Sequence, residues 1–287
     1  MNPLFKKISY VAVGIFAVIG FVFTAVFVGM YFELFNVRGS SIERNKFFLN
    51  NAATSTAAKI QKQSCIDKTK KTCEWNETPE WVVIKNGLEK DTEIISKVSM
   101  ETGVSKRMIA TVVIPEQARF FTANREVFKR YFEPMKILGS MSQFSLGVSG
   151  IKEKTALEIE VNLINDKSAF YPGPEFAKLV SYGSSTEDRE KELFNRLTDE
   201  KNHYYSYLYT ALYIKEIETQ WKHNGFEITE NPEVVATLFN IGFNGSNPNP
   251  NPRVGGTSIS LGGKTYVYGD LGANFYNSEE LGDIFTK

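Results

Sequence analysis

The stretch Ile114-Pro115-Glu116-Gln117-Ala118-Arg119 places a single acidic residue at the end of an apolar run. Before it, apolar side chains recur at helical spacing, and Ser105 suits the N-cap of such a helix. The apolar positions are Met108, Ile109, Val112 and Val113. Proline has no backbone N–H, so we expect Pro115 to disrupt the helix. The pattern therefore predicts that Glu116 lies at a helix end and faces a cleft.

Two further stretches follow in order, the glycine-bounded Gly139-Ser140-Met141-Ser142-Gln143-Phe144 and Leu238-Phe239-Asn240-Ile241-Gly242. Together with Glu116 they resemble the three signatures of the lysozyme-like lytic transglycosylases, in the superfamily of the soluble lytic transglycosylases and goose-type lysozymes. These signatures are a catalytic Glu at a helix end, a Gly-Leu-Met-Gln-like turn, and Ala-Tyr-Asn-x-Gly. The resemblance covers roughly residues 91 to 250, with Gln117 in place of the usual Ser after the acid.

The resemblance implies an enzyme that cuts the β-1,4 bond between N-acetylmuramic acid and N-acetylglucosamine in a peptidoglycan strand. Glu116 would act as acid and then as base, closing a 1,6-anhydro ring on the muramic acid. No second carboxylate, metal or cofactor is implied. The substrate-binding residues implied by the family are Ser142, Gln143, Phe144, Asn240 and Tyr266, with Tyr268 as the alternative to Tyr266.

A charge-free run from Ile8 to Phe32 precedes the rest of the chain. At about 1.5 Å per residue it exceeds the roughly 30 Å of a bilayer core, so we expect a single transmembrane anchor over residues 8–35. A cleaved signal peptide is the alternative, but its apolar region is normally shorter. Lys6 and Lys7 predict that residues 1–7 lie in the cytoplasm, and that the bulk of the chain lies on the periplasmic or extracellular side of the membrane.

Lys plus Arg and Asp plus Glu each number 33, so the chain has no basic field for nucleic acid, and we expect none as a partner. Cys65 and Cys73 are its only cysteines. In an exported chain they are expected to form a disulfide that closes a small loop, the alternative being two free thiols. This loop belongs to a connector at residues 36–87. There, Trp75 and Trp81 are expected in a core rather than in a sugar-stacking site.

The remaining pattern predicts a mainly α-helical, lysozyme-like domain over residues 88–250 and a C-terminal extension over 251–287. The extension contains a hairpin around Gly262-Gly263 or an irregular tail. Helical spacing extends over Leu88–Val113, residues 120–138, Ile151–Ile164, Ser184–Trp221 and Asn231–Ile241.

Two other functions fit the same residues. A hydrolytic lysozyme would need a second acid that positions water, for which Asp166 and Glu175 are the candidates. A non-catalytic wall-binding or scaffold subunit would have envelope proteins as partners and would not need Glu116 as an acid. Three other acids could replace Glu116, but each is better explained as part of a charged helix face; they are Glu101, Glu126 and Glu133.

Overall fold

The computed structural model describes residues 14, 16–22, 24, 74–122, 145–183, 186, 188–199 and 201–287. Contacts divide the chain into two compact units, Met1–Ala52 and Ala53–Lys287. In the first unit the described residues between 14 and 24 are helical and exposed. Within the described part of the chain, no helix has both the length and the apolarity to cross a bilayer. Most of the expected anchor at residues 8–35 lies outside the described residues, as do Cys65 and Cys73.

The described part of the second unit is mainly α-helical, which confirms the mainly α part of the predicted fold class. Two short antiparallel hairpins, β1 with β2 and β3 with β4, interrupt the helices. The elements in chain order are α1 (Pro79–Lys90), α2 (Thr92–Thr102), α3 (Lys106–Thr122), β1 (Ser145–Leu146), β2 (Ile151–Lys152), α4 (Glu153–Ile164), α5 (Arg189–Thr198), α6 (Tyr204–His223), α7 (Pro232–Ile241), β3 (Ser258–Leu261), β4 (Lys264–Val267) and α8 (Tyr268–Asn277).

Helices α3 and α6 form the centre of this unit. Every residue from Arg107 to Glu116 is buried, and most of α6 is buried as well, so both helices are covered on nearly all sides. Helices α1, α2, α7 and α8 pack on α3, and α4 and α5 pack on α6. Trp75 and Trp81 are 1% and 2% exposed, which confirms that they belong to the core.

Local signals explain most helix boundaries. Helix α1 begins where the Thr78 hydroxyl accepts the amide of Trp81, and Pro79 occupies the first helical position. Gly103, at φ 72°, ends α2, and the Ser105 hydroxyl then accepts the amide of Met108 at the start of α3. The predicted N-cap at Ser105 is therefore confirmed.

The prediction that Pro115 disrupts the helix is wrong, because α3 continues through it to Thr122. Pro115 has no N–H for the carbonyl of Thr111, four residues before it. The next carbonyl, that of Val112, accepts a hydrogen bond from the hydroxyl of Tyr268 at 2.6 Å, so α8 holds this part of α3 from outside the helix. Glu116 consequently lies inside a helix rather than at its end.

The single helix predicted from Ser184 to Trp221 is also wrong, because the structure has α5 and α6 separated by residues 199–203. Two polar side chains cause this break. Asp199 accepts the amides of Lys201 and Asn202, and Asn202 accepts the amide of Tyr204. Such local bonds replace the helical hydrogen bonds that these amides would otherwise make.

The C-terminal part of the chain continues the helical core. The predicted hairpin is confirmed, with Leu261 opposite Lys264 across Gly262-Gly263. Helix α8 follows directly, and its residues Leu271 and Phe275 are completely buried. The guanidinium of Arg107 in α3 holds the end of this region by donating to five backbone carbonyls; these belong to Phe275, Tyr276, Ser278, Glu280 and Phe285.

Candidate functional site

Glu116 is buried in the second half of α3, with 5% of its surface exposed. Arg119, one turn further along the same helix, places its Nη2 atom 2.8 Å from Oε2 of Glu116. The side chain of Arg119 is 14% exposed and that of Glu116 is 6% exposed, so the ion pair is largely shielded from water. A positive charge at this distance favours the ionised form of a carboxyl group.

A glycine turn, which we define as residues Gly147–Gly150 between β1 and β2, lies against this carboxylate. A methyl group at position 150 would be 3.1 Å from the Cδ atom of Glu116. Gly150 also has φ of 62°, in the region that favours glycine. Both the space and the backbone conformation therefore require a residue without a side chain next to Glu116.

Hydroxyl groups on α6 fix the glycine turn in this position. The hydroxyl of Ser206 accepts the amide of Val148 at 3.0 Å, and the Ser149 hydroxyl donates to the Ser206 carbonyl at 3.1 Å. Thr210 in turn donates to the Ser149 hydroxyl. On the other side, the side-chain amide of Gln117 donates to the carbonyl of Val148. The turn is thus bonded to both α3 and α6, on either side of Glu116.

Tyr268, the first residue of α8, is a further member of the site. It is completely buried, and burial raises the pKa of its hydroxyl well above the ordinary value. The charge of Glu116 and the proximity of Tyr213 raise that pKa further, while Arg119 lowers it. Tyr268 is therefore a neutral hydrogen-bond donor within the electrostatic reach of Glu116 at physiological pH.

Asn240 lies near the end of α7 and is 4% exposed. Its Oδ1 atom accepts the amide of Thr257 at 2.9 Å and the hydroxyl of the same residue at 3.1 Å. A methyl group at Gly256 would lie 2.9 Å from both Oδ1 of Asn240 and Cβ of Tyr268. Asn240 thus holds the loop that passes beside Tyr268, a structural role that its sequence motif did not predict.

The structure brings together only some of the predicted site residues. Glu116 acts electrostatically on Tyr268, and the loop that Asn240 holds passes beside Tyr268 at Gly256. Tyr266 is 7% exposed and lies in β4 opposite Ile259. Ser142, Gln143 and Phe144 lie outside the described residues. The candidate second acids of a lysozyme, Asp166 and Glu175, are both exposed.

Sequence reasoning did not identify the glycine turn as a neighbour of the acid. The signal was present, because two glycines separated by Val148 and Ser149 lie in a segment rich in Gly and Ser. The glycine-bounded segment at 139–144 matches more of the expected motif, so the sequence pattern favours it over the glycine turn. Ser206 and Thr210 had no recognisable signal, since their role depends on α6 lying against the turn.

The chain as a whole matches no protein-family model, no curated protein and no solved structure. The geometry around Glu116 is therefore the basis for assigning a function.

Proposed function

We propose that this protein cleaves peptidoglycan strands as a lytic transglycosylase, with Glu116 as the single acid and base. The observation that carries the proposal is the burial of one carboxyl group of α3 against the glycine turn, within the electrostatic reach of Tyr268 of α8. A carboxyl group shielded from water can hold a proton at a pH where an exposed one cannot, and protonation of the glycosidic oxygen requires this.

In the proposed reaction, protonated Glu116 gives its proton to the oxygen between N-acetylmuramic acid and N-acetylglucosamine, and the bond from C1 to that oxygen breaks. The carboxylate of Glu116 then takes the proton of the C6 hydroxyl, while the C6 oxygen forms the new bond to C1 of the same sugar. The products are a 1,6-anhydro sugar and a free hydroxyl on the departing sugar. Glu116 ends the cycle protonated, and no water is consumed.

The surrounding residues support this chemistry in different ways. Gly150 lets the backbone approach the carboxyl group closely, so bulk water is excluded from that side. Tyr268 stays uncharged, so it adds no negative charge that would hinder formation of the Glu116 carboxylate. Asn240 orders the loop at 255–257, and we assign sugar contacts to Gln143 and to groups along that loop.

We further propose that residues 8–32 tether the protein to the cytoplasmic membrane and that the site acts on its outer side. The charge-free run and the lysines before it support this placement. Proteins of the cell envelope are the partners that such a tether would bring within reach.

The decisive experiment compares Glu116→Gln with the wild-type protein on purified peptidoglycan. We expect mass analysis to find 1,6-anhydromuramic acid ends with the wild type and none with the variant. Glu101→Gln is the matched control, because Glu101 accepts a hydrogen bond from Tyr204 at 2.7 Å and is not part of the site. Thermal unfolding of both variants establishes that they are folded.

Three other results would replace the proposal. Reducing-end muramic acid in place of anhydro ends would establish a hydrolytic lysozyme. Unchanged glycan digestion by Glu116→Gln would remove Glu116 from the chemistry. Glycan binding without digestion by the wild type would establish a wall-binding or scaffold protein. The ion pair with Arg119 is the observation that favours this last function, because a carboxylate paired with a guanidinium has no proton to donate.

A further inference from the structure

The main chain of Val148, in the middle of the glycine turn, is bound on both sides by side chains of two different helices. Its amide donates to the hydroxyl of Ser206 in α6 at 3.0 Å. Its carbonyl accepts a hydrogen bond from the side-chain amide of Gln117 in α3, the residue that follows Glu116. Because a residue has only two soft backbone dihedrals, bonds to both of its peptide units restrict Val148 more than either bond alone.

A network of buried hydroxyl groups supports the α6 side of this arrangement. Ser149, Ser206 and Thr210 are each at most 2% exposed. The Ser149 hydroxyl donates to the carbonyl of Ser206 at 3.1 Å, and the hydroxyl of Thr210 donates to that of Ser149. A buried hydroxyl without a hydrogen bond costs free energy, whereas a satisfied buried network stabilises one conformation. The network therefore holds the glycine turn against α6 in a defined position.

Glycines at both ends allow the turn to contact its neighbours closely. A methyl group at position 147 would be 2.4 Å from the hydroxyl oxygen of Ser206 and 2.3 Å from the carbonyl oxygen of Leu197 in α5. At the other end, a methyl group at position 150 would be 3.1 Å from Cδ of Glu116. Val148 lies between these two contacts. A change in its backbone dihedrals therefore moves Gly150 relative to the carboxyl group.

We propose that Gln117 and Ser206 are positioning residues for Glu116, and that they act together through the main chain of Val148. This inference rests on the proposed function, because it assigns both residues a role in the reaction of Glu116. Neither of them has to contact the sugar. Loss of either bond leaves Val148 held from one helix only, so Gly150 is no longer fixed against the carboxyl group.

The expected consequence is a loss of rate rather than a loss of substrate binding. Proton transfer requires the carboxyl group to lie within hydrogen-bond reach of the glycosidic oxygen. A misplacement of about 1 Å at a reacting group can cost on the order of 100-fold in rate. The proposed sugar contacts belong to Gln143 and to the loop at 255–257, which the two substitutions leave unchanged. The positioning residues should therefore affect kcat and leave KM nearly constant.

The test measures kcat and KM of the full-length protein on solubilised peptidoglycan strands, with Gln117→Met, Ser206→Ala and the double variant. Methionine is similar in length to glutamine but has no donor, and alanine lacks the hydroxyl of serine. Each single variant should lower kcat by about tenfold, with KM within about twofold of the wild type. The double variant should also lose about tenfold, because one lost bond already releases the turn.

Ser246→Ala is the matched control for the loss of a buried hydroxyl. Ser246 is buried, and its hydroxyl accepts the indole N–H of Trp221 at 2.9 Å, beyond the part of α6 that contacts the glycine turn. This variant should keep the kcat of the wild type. Thermal unfolding of every variant sets an assay temperature below all the unfolding midpoints, so that a smaller folded fraction does not lower the rate.

Hydrogen exchange of the Val148 amide tests the joint action without turnover. Gln117→Met leaves the bond from this amide to Ser206 in place. If the two bonds hold Val148 as a unit, exchange measured by NMR should nevertheless become about fivefold faster in Gln117→Met, as expected for one net hydrogen bond. In Ser246→Ala the amide should exchange at the rate of the wild type. Unchanged exchange in Gln117→Met overturns the joint action.

The kinetic data separate the two proposals. If the wild type cleaves glycan and both single variants keep its kcat, the positioning role is wrong and the proposed function stands. A raised KM with unchanged kcat also overturns the positioning role. A double variant about 100-fold slower, the product of the single effects, overturns the coupling through Val148. If the wild type releases no anhydro sugars, the proposed function fails and the positioning role fails with it.

Discussion

Glu216 offers the sharpest quantitative test of the structure. It lies in α6 and is completely buried. The side-chain amide of Asn162 in α4 donates to its Oε2 atom at 3.1 Å. Its other oxygen, Oε1, has no hydrogen-bond partner among the described residues. Burial raises the pKa of this carboxyl group to about 9, partly offset by the bond from Asn162.

The raised pKa has a definite consequence for stability. Between a pH of about 4.3, the ordinary value for glutamate, and the pKa of Glu216 in the folded state, the folded protein holds a proton that the unfolded chain has lost. The free energy of unfolding therefore falls as pH rises through this range, by at most about 1.4 kcal/mol per pH unit from this residue. From pH 5 to pH 7 the loss approaches roughly 3 kcal/mol.

Glu216→Gln removes the titration and keeps the shape of the side chain. We expect the free energy of unfolding of this variant, minus that of the wild type, to increase by roughly 3 kcal/mol between pH 5 and pH 7. Urea unfolding curves at pH 5, 6, 7 and 8 provide the measurement. Glu89→Gln, at an exposed position of α1, is the control and should follow the wild type at every pH.

The result that refutes this reasoning is a constant difference. If the stabilities of wild type and Glu216→Gln change in parallel across the whole range, to within about 0.5 kcal/mol, Glu216 is ionised in the folded protein. Its environment would then have to be more polar than the structure describes. Agreement would establish that α4 and α6 enclose a neutral carboxylic acid at physiological pH.

Two further substitutions test the packing around α3. Arg107→Lys should destabilise the protein by about 3 kcal/mol, because an ammonium group has only three donors for the five carbonyls that Arg107 binds. Urea unfolding measures this loss of stability. Proteolysis after residue 274 should also become faster. Gly150→Ala should cost about 1–2 kcal/mol for its backbone conformation and should reduce glycan cleavage by more than its stability explains, since the new methyl group displaces the Glu116 carboxyl group. Gly87→Ala, in α1 with open space around it, is the control and should leave cleavage unchanged. If Gly150→Ala cleaves glycan as fast as the wild type, the glycine turn does not lie against the group that reacts, the proposed acid Glu116.

Local signals in the sequence were sufficient for some elements. Asn231-Pro232 predicted the start of α7, because a proline at the first helical position has no donor to lose. Gly262-Gly263 predicted the turn between β3 and β4, where both glycines have positive φ. In each case residues within a few positions of one another determine the conformation, so no knowledge of the fold was needed.

Prediction was wrong where a distant contact decides the outcome. Pro115 should end a helix by local rules, yet α3 continues through it at the place where α8, more than 150 residues later, packs on α3 and Tyr268 donates to the carbonyl of Val112. The buried role of Arg107 had no signal either, because its five acceptors are backbone carbonyls, which every sequence contains. At the site, the acid was recognisable from its apolar flank, whereas the glycine turn that covers it depends on hydroxyl groups of α6.

The contacts that the C-terminal residues make with α3 help to fix the position of Glu116. Arg107, at the start of α3, donates to backbone carbonyls after residue 274. Tyr268 donates to the carbonyl of Val112, one turn before Glu116. Between them, Gly272 lies so close to α3 that a methyl group there would be 2.9 Å from the carbonyl oxygen of Thr111. Because α8 contacts α3 at three successive levels along its length, displacing α8 would shift the backbone that carries Glu116. The region from residue 251 onward, expected from its composition to be an extension, therefore determines where the candidate acid lies.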